Sequence, residues 1–415
     1  MMRIPKLLAI FLALAMILVA CGTEDAETPT AVEDESVEDE SDDEAADAPA
    51  DDDDVVTVRF GVAMPLTGTQ AALGEEFVRW FERGVERVNA DNDRFDLEMV
   101  VEDTRATAEV GLTALNRLGA VEDVPVVFTA WSGVVQAMAP VAVDLDVALI
   151  NSGANDPLLA GVGELINMFP LASVDIQALA TWAREVQGYE RAAIIFIDNP
   201  TGEGAADLYE EVFSDLGGEV VAVEAIRMDA ADASAQVARV AAADPDIVHI
   251  HVLAAEAPVI IQELEAQGVD ADMSTYSLAE FTQVRASAGP AMAGLYYGTF
   301  TPLQTPELGA EVEWYEENFA DSPAISYGVY QHGGPFLLAS VVNYLLDEGR
   351  EITGDSISAA ILEISEFELP HIGEIVIRED GTISLPVRIK QVGEDPTQGA
   401  ADDEIVYEVD PDEVE

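Results

Sequence analysis

Side chains able to do covalent or metal chemistry are scarce in this 415-residue chain, which holds one cysteine and four histidines. His249 and His251 stand two apart in an apolar run at 247–252 that reads as a buried strand. Two imidazoles on one strand supply at most half of a zinc site, so they read as core- or cleft-facing side chains. Asp198 and Glu203 are five apart and form the one carboxylate pair that could share a proton, but nothing beside them defines a substrate. Residues 51–54 are four consecutive aspartates without a turn residue to fold them around a cation, and they read as solvated. The chain has no Gly-rich phosphate loop, no Gly-x-Ser-x-Gly elbow, no paired-His zinc motif and no thiol after residue 21. It therefore reads as a protein that binds rather than catalyses, with no cofactor and no metal expected.

The cysteine has its own context. Arg3 and Lys6 precede an unbroken apolar run at 7–20. That run is short of the roughly 20 residues a membrane span needs and has the length of a signal-peptide core. It ends Leu18-Val19-Ala20-Cys21-Gly22, which resembles the lipobox of bacterial and archaeal lipoproteins. The resemblance implies a signal peptide at 1–20, cleavage before Cys21, a diacylglyceryl group on its sulfur, and a protein held to the outer face of the cell membrane. Two acyl chains hold far more firmly than one. Residues 22–54 are acidic, small and polar, with too little apolar surface to fold, and read as an extended tether.

Charge narrows the partners. The formal net charge is −63; with 17 acids in the tether, the body beyond residue 54 keeps about −48, and lysine occurs only at Lys6 and Lys390. Such a surface repels nucleic acid, whose phosphates require cationic contacts. It also repels itself until salt screens it, which reads as adaptation to a saline medium.

The elements that must position any binding residues follow from periodicity. Apolar strands at 55–64, 97–102, 124–128 and 147–151 alternate with helical patterns at 76–90, 106–118 and 136–144. The alternation restarts with helices at 173–187, 204–216, 233–243 and 258–267 around strands at 192–197, 220–226 and 247–252. A segment at 293–301 reads as the return crossing, helices follow at 307–319 and 334–348, and the tail reads as β-structure at 374–377, 383–392 and 405–409 around the turn Asp380-Gly381. This predicts an α/β protein of two doubly wound, Rossmann-like lobes around a cleft, joined by several crossings. One lobe is expected to hold 55–171 and 299–366, and the other 172–298 and 367–410. Ligands of such sheets bind beyond the carboxyl ends of the strands.

The loops at those ends carry a resemblance. Residues 58–74 end a strand with Pro65-Leu66-Thr67-Gly68 and reach Gly74 before the first helix. Glu102-Asp103-Thr104, Trp131-Ser132-Gly133, and Asn151-Ser152-Gly153-Ala154-Asn155-Asp156-Pro157 follow the next three strands; Asp198, Thr201, Gly202 and Gly204 open the second lobe. In this order, over roughly 55–395, they resemble the leucine/isoleucine/valine-binding proteins, type I periplasmic binding proteins. The resemblance implies capture of a small polar solute, most simply an aliphatic amino acid, for an ABC importer whose permease and ATPase subunits are separate chains. A small amide, urea-like compound or short carboxylate, or a sensing role, are the alternatives.

The resemblance also implies site residues. The ligand carboxylate is expected to meet Ser132, the Gly153 backbone and Asn155, with Trp131 and Ser152 beside them and Leu73 where relatives carry a covering aromatic. Thr201 and Tyr276 are expected to face them from the second lobe. Ser277 aligns with the acid that holds a ligand ammonium in relatives, so Glu280, three residues on, is the candidate for that role. Without such an anion a zwitterion's charge is buried unpaired, which puts amino-acid specificity at issue.

Overall fold

The computed structural model describes residues 55–300, 305–319, 325–400 and 403–409; the signal peptide, Cys21 and the tether lie outside the described residues. The first sheet contains β1 (Val56–Met64), β2 (Phe95–Asp103), β3 (Val126–Thr129), β4 (Ala148–Asn151) and β5 (Ile166–Asn167), interleaved with α1 (Ala71–Asp91), α2 (Ala108–Ala120) and α3 (Ser132–Asp144). All its pairings are parallel, in the order β2-β1-β3-β4-β5. Central strands of such a sheet are covered on both faces, and the last five residues of β1 and all of β3 and β4 are buried.

The second sheet follows α4 (Ala172–Thr181). It contains β6 (Arg191–Ile197), β7 (Glu219–Ile226), β8 (Ile247–His251), β9 (Asp272–Thr275) and β10 (Tyr296–Thr299), with α5 (Pro200–Asp215), α6 (Ser234–Ala243), α7 (Ala257–Gln267) and α8 (Thr282–Ala288) between them. The chain continues through α9 (Pro306–Asn318), α10 (Ile325–Asp347) and α11 (Gly354–Ile364), then β11 (Glu366–Leu369), β12 (Gly373–Ile377), β13 (Ile383–Ser384), β14 (Val387–Gln391) and β15 (Glu404–Val409). Strands β14 and β15 join the second sheet antiparallel beside β10, giving the order β15-β14-β10-β9-β8-β6-β7. The sequence reading assigns 367–410 as one block to the second lobe. Within that block, β11–β13 form a sheet of their own. Its 378–382 turn bonds back to the β5 segment, with Asn167 N donating to Gly381 O at 2.7 Å.

Several elements differ from the periodicity. The expected strand at 383–392 is split at Leu385-Pro386: β13 pairs with β12 and β14 with β10. Proline has no N–H to donate to a ladder, so the break falls where the chain changes sheets. Helix α10 begins near Ile325 rather than Gly334 and contains Pro335. Helix α11 starts with Thr353 and Ser356 capping each other's backbone N–H groups, a signature at Thr-x-x-Ser that the apolar period alone does not flag.

In both sheets the strand order reverses beside the first strand: β1 lies between β2 and β3, and β6 between β7 and β8. Loops leaving neighbouring strands there diverge and open a crevice. Two glycines seat the helices that follow. A Cβ on Gly74 would lie 1.9 Å from Pro65 O, and one on Gly202 would lie 2.0 Å from Ile197 O. Only glycine lets the first turns of α1 and α5 rest directly on the ends of β1 and β6.

Candidate functional site

The loops at the two reversal points enclose a cavity of about 320 Å³. From the first sheet it is lined by Gln70, Leu73 and Phe77 of α1, Trp131 and Ser132 at the start of α3, and Gly153, Ala154 and Asn155 after β4. From the second come Ile197, Asn199 and Thr201 around the start of α5, His251 to Ala254 at the end of β8, and Tyr276 and Phe281 beyond β9; Tyr327 of α10 completes it. None of these lining residues is an acid, a lysine or an arginine. A hollow of similar size, about 310 Å³, lies beneath α11, but it is bordered by Glu164, Asp355, Glu379 and Asp380 and by none of the crevice loops.

Aromatic rings form much of the wall. Phe77 lies 5.5 Å from Trp131 and 5.6 Å from Tyr327, and Phe281 lies 5.6 Å from Tyr327, measured between ring centroids. Trp131 adopts φ 66°, uncommon for a bulky residue. Its carbonyl accepts from Val134 N at 2.8 Å and Val135 N at 3.0 Å, starting α3 at the cavity edge. The amides of Ser132 and Gly133 precede those first intrahelical bonds. The first turns of α1, α3 and α5 all border the same space, and each presents the positive end of a helix dipole.

Seven of the nine expected binding residues border this cavity: Leu73, Trp131, Ser132, Gly153, Asn155, Thr201 and Tyr276. Gly153 does so with its amide already engaged, donating to Asn151 Oδ1 at 3.1 Å, while Ala154 N donates to the same oxygen at 2.7 Å. Ser152 is fully buried and its hydroxyl donates to Thr129 O at 3.3 Å. Glu280 lies off the cavity, accepting from Thr299 Oγ1 of β10 at 2.8 Å. The turn at 277–280 winds once past β9, and that carries the carboxylate away from the crevice. Thr201 joins the two sides: its hydroxyl donates to Asp156 Oδ2 at 3.0 Å, and Asp156 Oδ1 accepts from Leu158 N at 2.9 Å.

Gln70, Phe77, Asn199, Phe281 and Tyr327 are polar and aromatic wall residues that the sequence reading does not anticipate, and His251, read as core- or cleft-facing, joins them. Asn199 had a local signal, as an N-cap before proline, and its Oδ1 accepts from Gly202 N at 2.8 Å. His251 had one in its place at the end of a buried strand. The other four had none: Phe77 and Tyr327 lie within helices, and Gln70 and Phe281 stand just before α1 and α8. Burial keeps His251 neutral, its pKa lowered to about 4. Close by, Asp175 of α4 is 2 % exposed; burial pushes its carboxyl well above the usual range, and its Oδ1 is enclosed without a partner.

Known proteins share this fold. A family profile described as periplasmic binding protein matches residues 57–399. The chain is 26% identical over 293 residues to a Leu/Ile/Val-binding protein homolog 2 of Brucella abortus (strain 2308), covering 69% of this chain and 78% of that one. Its fold is similar to that of a leucine-binding protein, LivK, from Thermotoga maritima (TM-score 0.71, 19% identity, 86% of this chain and 99% of that one). It is equally similar to a solute-binding protein of an ABC transporter from Rhodopseudomonas palustris BisB5 in complex with 3,4-dihydroxybenzoic acid (TM-score 0.72, 19% identity, 86% and 98%). Among the described residues no helix is long and apolar enough to cross a membrane.

Proposed function

The chain belongs to the periplasmic binding protein family, whose members are extracytoplasmic solute-binding proteins rather than enzymes, and on that premise we propose that it captures a small organic carboxylate for an ABC importer. The observation that carries this reading is the cavity at the two reversal points. Three helix N-termini and the hydroxyl and amide groups of Ser132, Asn155 and Thr201 border it, and among the described residues no charged side chain does. Helix N-termini and uncharged donors suit an anion. An ammonium group has no counter-charge among the lining residues, and burying one unpaired is costly. The aromatic walls suit a flat or compact apolar body, and the neighbour that holds 3,4-dihydroxybenzoic acid supports the same class.

A second reading, an aliphatic amino acid, draws on the kinship with Leu/Ile/Val-binding homologues. It requires Glu280 or another acid to swing toward the cavity. Calorimetry with benzoate, hydroxybenzoates, short aliphatic acids, leucine and small amides separates the two. We expect the acids to bind and Ser132→Ala to weaken them roughly ten- to a hundredfold, the loss of one charge-assisted hydrogen bond. Tight leucine binding with no acid binding overturns the carboxylate reading.

The same proposal places residues 55–171 and 299–366 mainly in one lobe, and 172–298 with the end of the chain in the other, closing on the ligand by hinge motion. It also places the protein outside the cell membrane, tethered through lipid on Cys21. Cys21→Ser is expected to release the protein into the medium or leave an unprocessed precursor. Processed mutant protein that still fractionates with membranes refutes the anchor.

A further inference from the structure

His251 is the one imidazole bordering the cavity, and it is held in a column of rings. Tyr209 of α5 stacks on His249 at 4.3 Å and 12° between planes, His249 lies 6.0 Å from His251, and His251 stacks on Tyr276 at 4.8 Å. The rings on either side of His251 are fixed: His249 Nδ1 lies 3.1 Å from Ser274 Oγ, and Tyr276 OH donates to Val252 O at 2.8 Å. His251 is 4 % exposed, and its Nδ1 is enclosed with no hydrogen-bond partner. A buried ring nitrogen without a partner is destabilising unless something supplies one. Around it the second-sheet wall is apolar: Ile197, Val252, Leu253, Ala254 and Phe281. The start of α5, with Asn199 and Thr201, is the other polar stretch of that wall.

We propose that His251 is a specificity-determining ligand contact, which selects carboxylates carrying an uncharged hydrogen-bonding group, a hydroxyl or an amide, at the end remote from the carboxylate. The inference rests on the carboxylate reading above and names the class within it. Neutral imidazole offers one donor and one acceptor, so it pairs with a hydroxyl in either sense. It offers nothing extra to an aliphatic tail, and the described residues lining the cavity include no acid to favour a cationic one. The rigid stack means the ring is placed before the ligand arrives, so little ordering is lost on binding.

The test is calorimetry of benzoate against 4-hydroxybenzoate, and of benzamide against 4-hydroxybenzamide, on the full chain and on His251→Phe, which keeps a ring in the stack. Wild type is expected to favour the hydroxylated member several-fold to about tenfold, the effect of one net hydrogen bond. His251→Phe should bring that ratio to about one. A wild-type ratio near one, or a ratio that survives in His251→Phe, overturns the assignment and leaves the carboxylate reading standing. If only the amide pair binds and the ratio still depends on His251, the carboxylate reading falls and the assignment stands. Binding of neither pair overturns both. Should the variant fail to fold, nitrogen resonances of the wild-type imidazole decide: a shift with the hydroxylated probe alone supports the contact, and equal shifts with both refute it.

Discussion

The hydrogen bond from Thr201 to Asp156 joins the helix that follows β6 to the loop that follows β4, so it spans the crevice. Replacing Thr201 with valine keeps the shape and removes the donor. Asp156 is 8 % exposed, and its other oxygen is already held by Leu158 N. Water therefore has poor access to the abandoned oxygen, and the loss should approach the 1.5–3 kcal/mol of a hydrogen bond to a charged group. The bond can form only when the two sides are together. Its loss thus raises the closed state against the open one by that amount, and a ligand that needs the closed state weakens by roughly ten- to a hundredfold. Thr201 also borders the cavity, so a direct ligand contact must be separated from the latch. Thr201→Ser keeps the hydroxyl and should bind close to wild type. In a double-mutant cycle with Asp156→Ala, the double variant should lose less than the sum of the two singles, because each single already removes the shared interaction. Calorimetry gives the affinities, and small-angle scattering of the unliganded protein should show a more expanded average in Thr201→Val. Affinity within twofold of wild type, or additive losses in the cycle, would refute the latch.

Two further outcomes follow from buried charge. Arg285 and Asp403 form an ion pair with side chains 2% and 3% exposed, and Tyr297 OH and Gly393 N also donate to Asp403, at 2.8 and 3.1 Å. Asp403→Ala leaves a buried guanidinium unpaired and should cost about 3–5 kcal/mol in urea unfolding, whereas Arg285→Met with Asp403→Leu should recover most of it; a loss under about 1 kcal/mol for the single variant argues that the tail is not pinned by this pair. For Asp175, burial raises the folded pKa above the unfolded value of about 3.8, so the wild-type fold loses stability as pH rises from there through the folded pKa. Asp175→Asn removes that loss: its melting temperature should exceed wild type at pH 8 by an amount that shrinks toward pH 5, and a constant or reversed difference counts against an uncompensated carboxyl.

Much of the architecture is local and so was legible in the chain. Strand and helix periods, the restart near residue 173, the Asp380-Gly381 turn and the ordered loop motifs each depend on residues a few positions apart, and they define two α/β halves of a binding protein. The strand ends and the family resemblance also pointed to the loops that meet at the crevice, and Ser132, Asn155, Thr201 and Tyr276, named from them, border the cavity. What the cavity is made of was decided only by tertiary structure. Phe77 and Tyr327 are 250 positions apart; Phe77 reads as one more apolar residue of a helix and Tyr327 falls outside the expected helix at 334–348, and they meet only because α10 is laid against α1. His251 becomes a site residue only because β8 lies at the crevice with Tyr276 stacked on its ring. Glu280 shows the converse: three residues of turn beyond an aligned position rotate a carboxylate out of the cavity and onto Thr299. The type of a side chain is set by the sequence, but the partner it meets is set by how far the backbone has turned, and that is fixed by packing between segments distant in the chain.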